Sequence, residues 1–356
     1  MDKPAFYDPT KPINRAIKER VEETWVASKD WGIDIMRQGK RVVLKEHNRS
    51  PWVSRTGFIE KMQASDGIGT KGYLHWLNKS FKYAAQDAFA MVVDDIIESG
   101  FVMYQIQDII SVGTDDKKAG YPAILGIVDG LVELSKANKV IISGGETAIK
   151  DTIKGLEVDI TGTGVRMYES PPGLRQDSAL IALKSSGFHS NGFTLINNLY
   201  RDLLRNEDLD KKLLDSLTVP TTIYAKELAE LYSKGRGMVH GAVHITGGGW
   251  TKLLELDPTN KFSITVSSPK SDNPIFLKFY RDSSDAGIPR TPAQMYEYFN
   301  CGVGFVVAID EKFKGEALDI LRKHEPIELQ AKLEKGGSPA VNIIDNIFSE
   351  GQTITI

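Results

Sequence analysis

Apolar residues recur at every fourth position at Ile13, Ile17, Val21 and Trp25, which predicts an amphipathic helix after an irregular start. Residues 41–64 alternate loosely between apolar and polar, as strands do, with a break at Arg49-Ser50-Pro51. From Asp87 to Gly100, the residues Ala88, Met91, Val92, Asp95 and Ile96 share one helical face, and Gly100 stands where a C-terminal stop belongs. The β-branched run Val102–Val112 predicts a buried strand. A helix over Tyr121–Ala137, a strand over Lys139–Ser143, a turn at Gly144-Gly145 and a strand over Leu156–Val165 follow. The sharpest break in the pattern is Glu169-Ser170-Pro171-Pro172-Gly173. It divides the chain into units at 1–170 and 174–356. The second unit restarts with a strand over Ser178–Leu183, a glycine-rich turn and a helix over Gly192–Leu204. A βα-like passage over His240–Leu256, a strand over Gly304–Ile309 and a helix over Phe313–Lys323 complete it. Strands and helices alternate in both halves, so α/β or α+β layers are expected.

Composition narrows the function classes. A chain of 356 residues exceeds one ordinary core, in keeping with two domains. The net charge of −3 lacks the basic excess of a nucleic-acid binder, although a local site can still be basic and take an anionic substrate. Cys301 is the single cysteine, so no intrachain disulfide forms and a reducing, cytoplasmic setting is expected. No apolar run approaches the ~20 residues of a membrane span. Asp2, Pro4, Asp8, Pro9 and Pro12 stand where a signal peptide needs an apolar stretch.

Six segments carry candidate chemistry. In Ser65-Asp66-Gly67-Ile68-Gly69-Thr70-Lys71-Gly72 the glycines admit phosphate oxygens to the backbone N–H groups, Asp66 suits Mg²⁺, and Lys71 suits phosphate charge. Gly67, Gly69 and Gly72 also match the dinucleotide fingerprint, with Asp87 at a fitting distance. No apolar strand runs into the first glycine, however, and some sixty residues precede it. The spacing fails as a phosphate-binding P-loop too. Asp94 and Asp95 are adjacent carboxylates on an apolar helix, costly unless paired or metal-bound. Gly144-Gly145-Glu146-Thr147 follows an apolar strand, where open sheets bind ligands, although Glu146 also suits the first turn of a helix. Ser185-Ser186-Gly187-Phe188-His189-Ser190-Asn191-Gly192 reads as a phosphate nest before a helix or as a plain capping loop. It lacks the pattern of a hydrolase nucleophile elbow. His244-Ile-Thr-Gly-Gly-Gly249 and Phe299-Asn-Cys-Gly-Val-Gly304 imply close backbone approach. His240 and His244 read as core or supporting histidines, and Cys301 as a packed thiol.

In this order the segments resemble the AIR synthetase family, the phosphoribosylformylglycinamidine cyclo-ligases. The resemblance rests on Asp66–Lys71, Ala90–Asp95, Gly144–Ala148, Ser185–Gly192, Pro220-Thr-Thr-Ile-Tyr224, Ile245–Gly249 and Met295–Gly304, and spans about residues 60–310. Related kinases and synthetases share the aspartate-glycine loop and the Gly-Gly-Glu segment. The Ser-Gly-Phe-His-Ser-Asn-Gly and Met-Tyr-Glu-Tyr-Phe-Asn stretches point to AIR synthetase among them. The chain departs from the family pattern at Lys45–Trp52, where a glycine-rich loop is usual, at Asp94-Asp95, where Asn-Asp is usual, and at Ile149-Lys-Asp-Thr152.

The resemblance implies a two-domain fold whose N-terminal sheet pairs across a homodimer, with a C-terminal α/β domain. It implies ATP and Mg²⁺ as cofactors and formylglycinamidine ribonucleotide as substrate. ATP would phosphorylate the formyl oxygen, and the amidine nitrogen that carries the ribose would close the ring with loss of phosphate. Asp66, Asp94, Asp95 and Glu146 are then the metal candidates, with Asp108 able to join them directly or through water. Gly67, Gly69, Thr70, Lys71, Asp95, Asp108, Gly144, Gly145 and Thr147 face the cofactor. Ser186, Ser190, Asn191 and Gly192 face the substrate, and Asp94, Glu146, Lys18 and His189 serve catalysis. Two rivals remain: a superfamily kinase or synthetase with another acceptor, and a catalytically silent regulatory relative. The retained acids at Asp66 and Glu146 weigh against the second.

Overall fold

The computed structural model describes residues 12–38, 41–46, 59–114, 117–235, 237–257, 259, 261–269, 273–336, 338–349 and 351–356. The predicted break at Arg49–Pro51 and most of Lys45–Trp52 lie outside these residues. A helix over Pro12–Glu22 carries Ile17 and Val21 onto the core, as the fourfold spacing predicts. A hairpin of β1 (Ile33–Gln38) and β2 (Arg41–Glu46) follows.

Four strands build the N-terminal sheet: β3 (Lys61–Gly67), β4 (Phe101–Gly113), β5 (Ile141–Lys150) and β6 (Gly155–Arg166), in the order β3-β6-β4-β5. Only the β4–β5 pair is parallel. The helix Phe81–Glu98 lies against this sheet, and the helix Lys117–Asn138 packs on that helix. Gly100 ends the first helix at φ +82°, a conformation that L side chains rarely adopt. Gly144-Gly145 is not the predicted turn. Strand β5 runs through both glycines to Lys150, held by its ladder to β4, with a register shift opposite Ile106 and Gln107. Pairing along β4 overrides the turn preference of the dipeptide. Glu146 therefore sits on a strand and not in the first turn of a helix.

The second half holds two sheets. Strands β7 (Ser178–Lys184), β8 (Val239–His244), β10 (Val303–Asp310) and β11 (Ile327–Leu329) form one, in the order β11-β7-β10-β8, with antiparallel neighbours throughout. Strands β9 (Phe262–Ser267), β12 (Ala331–Lys335), β13 (Val341–Ile344) and β14 (Ile354–Thr355) form the other, in the order β12-β9-β13-β14. Mostly antiparallel pairing makes the architecture α+β.

The helix Phe81–Glu98 is buried on nearly every side, from Ala84 to Ile97. Its apolar residues share one cluster with Ile181, Tyr224, Leu228, Phe305 and Val307 of the second half. One helix thus serves the cores of both halves, which explains why its apolar residues are not confined to one face. Among the described residues no helix is long and apolar enough to cross a membrane.

Candidate active site

The register of the N-terminal sheet fixes the first element of the site. Asp66, Ile160, Asp108 and Gly145 stand opposite one another across four strands, and Gly67, Asp159, Ile109 and Glu146 form the next row. Each row pairs a carboxylate with a glycine. A Cβ on Gly145 would lie 2.6 Å from the Asp108 carboxylate, and a Cβ on Gly67 would lie 2.0 Å from that of Asp159. The glycines are there because neighbouring acids occupy their side-chain space. Both rows line a trough of ≈ 660 Å³, with Ser65, Gln107 and Thr161 beside them.

Among the described residues the lining of this trough includes no lysine, arginine or histidine. Burial pushes the Asp108 carboxyl up to about 7, opposed only by its own backbone N–H. Burial likewise raises Asp159, with Glu157 adding to it and Lys150 opposing, and enclosure raises Asp66. Such acids await a positive charge. Successive rows of a pleated sheet face opposite sides, so Asp66 and Asp108 cannot converge with Asp159 and Glu146 on one ion. Among the described residues no three acidic, histidine or cysteine side chains are grouped to hold a metal. The oxygen donors fit Mg²⁺ in its usual manner, through one or two carboxylates with water and phosphate completing the shell.

The predicted set of metal and cofactor residues is thereby divided. Asp66, Gly67, Asp108, Gly145 and Glu146 meet in the trough, with Thr147 next along β5. Asp94 does not. It is fully buried, and its Oδ1 accepts the backbone N–H groups of Tyr224 (2.9 Å) and Ala225 (2.8 Å), capping the helix Ala225–Ser233 from the other half. Burial pushes its carboxyl up to about 7 against the pull of His244 and those two N–H groups. Asp95 is half-buried and lies 3.3 Å from His244 Nδ1.

Lys71, expected at a phosphate, is fully buried. Its ammonium pairs with Asp87 at 2.7 Å and donates to the carbonyls of His189 (2.7 Å) and Val219 (2.8 Å), so its three hydrogens are taken. Thr70 and Gly69 are exposed; the Thr70 hydroxyl lies 3.4 Å from that of Thr194. Lys18 is half-buried on the first helix, away from the trough lining.

The second element is the loop Ser185–Gly192. His189 is buried at φ +58°, a strained conformation for this residue. Burial drives its imidazole well below the usual range, with His244 and Lys71 adding to the effect, so the ring is neutral. Its Nε2 accepts the Ser186 N–H at 3.3 Å, which leaves the proton on Nδ1. That Nδ1, the Nε2 of His244 and the Oδ2 of Asp94 are all buried without a partner. The His189 and His244 rings lie 6.1 Å apart and both stand near Tyr224. Three unpaired polar atoms at the junction of the halves mark a place for a water or a substrate group. Ser190 and Asn191 are half-exposed; Ser190 Oγ lies 3.2 Å from Thr221 Oγ1, and Asn191 Nδ2 is unpaired. Asp66 links the two elements, for Asp95 and His244 both lie close enough to act on its carboxyl, the first raising it and the second lowering it.

His240 and His244 lie on β8 and not on a helix, so their spacing does not make a metal pair. The Cys301 thiol is buried and raised by that burial, a packed thiol as expected. Sequence reasoning passed over Asp159, Asp87 and Thr221. Asp159 shows only as an acid flanked by Val158 and Ile160, and Asp87 only inside the rejected dinucleotide pattern.

Two family models match: "AIR synthase related protein, N-terminal domain" over residues 58–166, and "AIR synthase related protein, C-terminal domain" over residues 175–343. A phosphoribosylformylglycinamidine cyclo-ligase of Thermococcus kodakarensis is 34% identical over 78% of this chain and 80% of its own length. The enzyme of that name from Enterococcus faecalis is 31% identical over 73% and 77% respectively. Among solved structures, E. coli HypE superposes with a TM-score of 0.60 at 13% identity, covering 96% of both chains. Thiamine-monophosphate kinase of Stenotrophomonas maltophilia superposes with a TM-score of 0.59 at 11% identity, covering 93% of this chain and 96% of its own. At such identities these two establish a shared fold.

Proposed function

We propose, from the premise that the chain belongs to the AIR synthase-related family, that it is an ATP-dependent cyclo-ligase converting formylglycinamidine ribonucleotide to aminoimidazole ribonucleotide. The observation that carries this reading is an acidic trough adjoining a buried junction whose polar atoms lack partners. ATP with Mg²⁺ belongs to the trough, where Asp66 and Asp108, on one face of the sheet, would hold the ion with water and phosphate; bound there, the ion would neutralise triphosphate charge. The formyl and amidine groups belong to the junction beside His189, Ser190 and Asn191.

Each side chain has a defined task in this scheme. The γ-phosphoryl group passes to the formyl oxygen. The amidine nitrogen then attacks the same carbon, loses its proton, and inorganic phosphate departs. Neutral His189 offers an Nδ1–H donor to an oxygen and carries no positive charge of its own. His244 Nε2 is a bare acceptor for an N–H, provided its Nδ1–H points at Asp95. Burial excludes water that would hydrolyse the phosphorylated intermediate. The units 1–170 and 174–356 serve as the ATP half and the substrate-closing half.

A homodimer and a cytoplasmic setting accompany the reading. The helices cover one face of the N-terminal sheet. The other face carries Gln63, Ser65, Gln107 and Ile109, the last 54% exposed in mid-sheet. A second copy of the chain would cover it. Sedimentation velocity of wild type and Ile109→Lys tests this, with a monomeric wild type refuting it.

Phosphate release from ATP and Mg²⁺ is measured with and without formylglycinamidine ribonucleotide, together with the aminoimidazole product. Release that depends on this substrate and matches product one to one is expected. Release with no such product would move the acceptor elsewhere.

A further inference from the structure

The segment Thr218–Ala225 belongs to the second half in sequence, yet the first half grips it along its length. Asn78 Nδ2 donates to the Thr218 hydroxyl at 2.6 Å, and Gln86 Nε2 donates to the Thr221 carbonyl at 2.8 Å. Asp87 makes the densest contact. Its Oδ1 accepts the Thr221 N–H at 2.7 Å and the Thr221 hydroxyl at 2.6 Å. Its Oδ2 receives the Lys71 ammonium at 2.7 Å and His75 Nε2 at 2.6 Å, and His75 is held in turn by Ser80 at 2.8 Å. A fully buried carboxylate with four donors has no capacity left for substrate or metal.

The grip passes straight into the loop assigned to the substrate. Lys71 donates to the carbonyl of His189, the residue held at positive φ. Thr221 reaches the Ser190 hydroxyl at 3.2 Å, and Ser186 Oγ donates to the Pro220 carbonyl at 2.6 Å. The carboxylate of Asp87 is thus one side chain away from both His189 and Ser190, by way of Lys71 and Thr221. Buried ion pairs add little net stability compared with apolar packing, so a role in specifying geometry suits this one.

We infer that Lys71, Asp87 and Thr221 are positioning residues, an interdomain clamp that sets the His189 backbone and the Ser190 hydroxyl for the reaction. Lys71 in this role makes no contact with ATP. The clamp rests on the assignment of His189 and Ser190 to the substrate site.

The test uses the full chain, three clamp variants and one variant for spectral assignment. Thr221→Val keeps shape and the N–H to Asp87 but loses the hydroxyl; Thr221→Ser keeps the hydroxyl and loses only a methyl group. A clamp predicts that Thr221→Val lowers kcat about tenfold or more while Thr221→Ser stays within about threefold of wild type. A packing role predicts the reverse order and would overturn the clamp. Lys71→Met is expected to lower kcat about a hundredfold with KM for ATP within about twofold. A rise in KM for ATP of tenfold at unchanged kcat would make Lys71 a phosphate contact instead. Should Lys71→Met fail to fold, the Thr221 pair decides alone.

Ring ¹⁵N shifts of the histidines, assigned with His189→Gln, separate the clamp from the choice of reaction. Wild type and Thr221→Ser are expected to hold His189 in the Nδ1–H tautomer, and Lys71→Met to show averaging between tautomers. An unchanged tautomer in folded Lys71→Met would sink the clamp even if the chain catalysed a different reaction. Absence of aminoimidazole product with the averaging intact would sink only the substrate assignment.

Discussion

Asp108 and Gly145 face each other in the β4–β5 ladder, and the carboxylate of the first fills the space where a side chain of the second would stand, 2.6 Å from its Cβ position. Gly145→Ala must push that carboxylate aside. Gly144→Ala has no such neighbour, its nearest atom being the Gln107 amide at 3.8 Å. Substrate-dependent phosphate release is expected to fall more than about tenfold in Gly145→Ala and to stay within about threefold of wild type in Gly144→Ala, a difference of at least roughly 0.7 kcal/mol in barrier. Equal losses in the two would remove Asp108 from the site.

The ionisation of Asp108 gives a pH signature. Its folded carboxyl sits at about 7 against an ordinary 3.8. A raised carboxyl binds its proton more tightly in the folded state. That contribution is complete below pH about 3.8 and is lost as pH rises through about 7. Asp108→Asn should therefore match wild type near pH 4 and exceed it near pH 8 by roughly 1–4 kcal/mol in urea unfolding without nucleotide. A gain of the same size at both pH values would point to a cause other than ionisation.

Asp94 separates structure from catalysis. Asp94→Ala leaves the Tyr224 and Ala225 N–H groups unpaired in the core and should cost about 2–4 kcal/mol. Asp94→Asn keeps an acceptor at the same place and should cost about 1 kcal/mol or less. Chemical denaturation measures both. Equal destabilisation would mean that the charge, and not the acceptor, holds the helix.

Two trough acids report on the metal. Asp66→Asn and Asp108→Asn should each raise the Mg²⁺ concentration for half-maximal turnover by about tenfold, near 1.4 kcal/mol per lost ligand, and Glu146→Gln, on the opposite face of the sheet, should leave it within about twofold. Asp94→Asn should leave that concentration within about twofold of wild type. Metal dependence unchanged in both Asp66→Asn and Asp108→Asn would place the ion elsewhere.

The long helices and the buried β4 strand were legible because each repeats one period over many residues. The fourfold stripe Ile17-Val21 and the apolar run Phe101–Gly113 need no partner to be recognised. The course of β5 through Gly144-Gly145 was not legible, since only the ladder to β4 decides it. Lys71 looks like a phosphate lysine in a glycine-rich segment, and nothing local reveals Asp87 or the His189 carbonyl waiting across the junction. Asp159 hides as the polar member of an alternating strand. The sheet β12-β9-β13-β14 escaped because its strands are short and interleaved with charge, as in Ala331-Lys-Leu-Glu-Lys335. Motif order picked out the family, but which acids share a face depends on register, and register is a property of pairs of strands.

The shared helix Phe81–Glu98 also bears on how this polypeptide folds and on how it can be divided. Severing the chain in the Glu169–Gly173 segment would leave Val92, Ile96 and their neighbours without Tyr224, Leu228 and Phe305 to cover them. Neither fragment would then possess a finished interior. The protein should melt in a single calorimetric transition despite its two family modules, and its halves should have to be inherited together, not exchanged piecemeal with those of other enzymes.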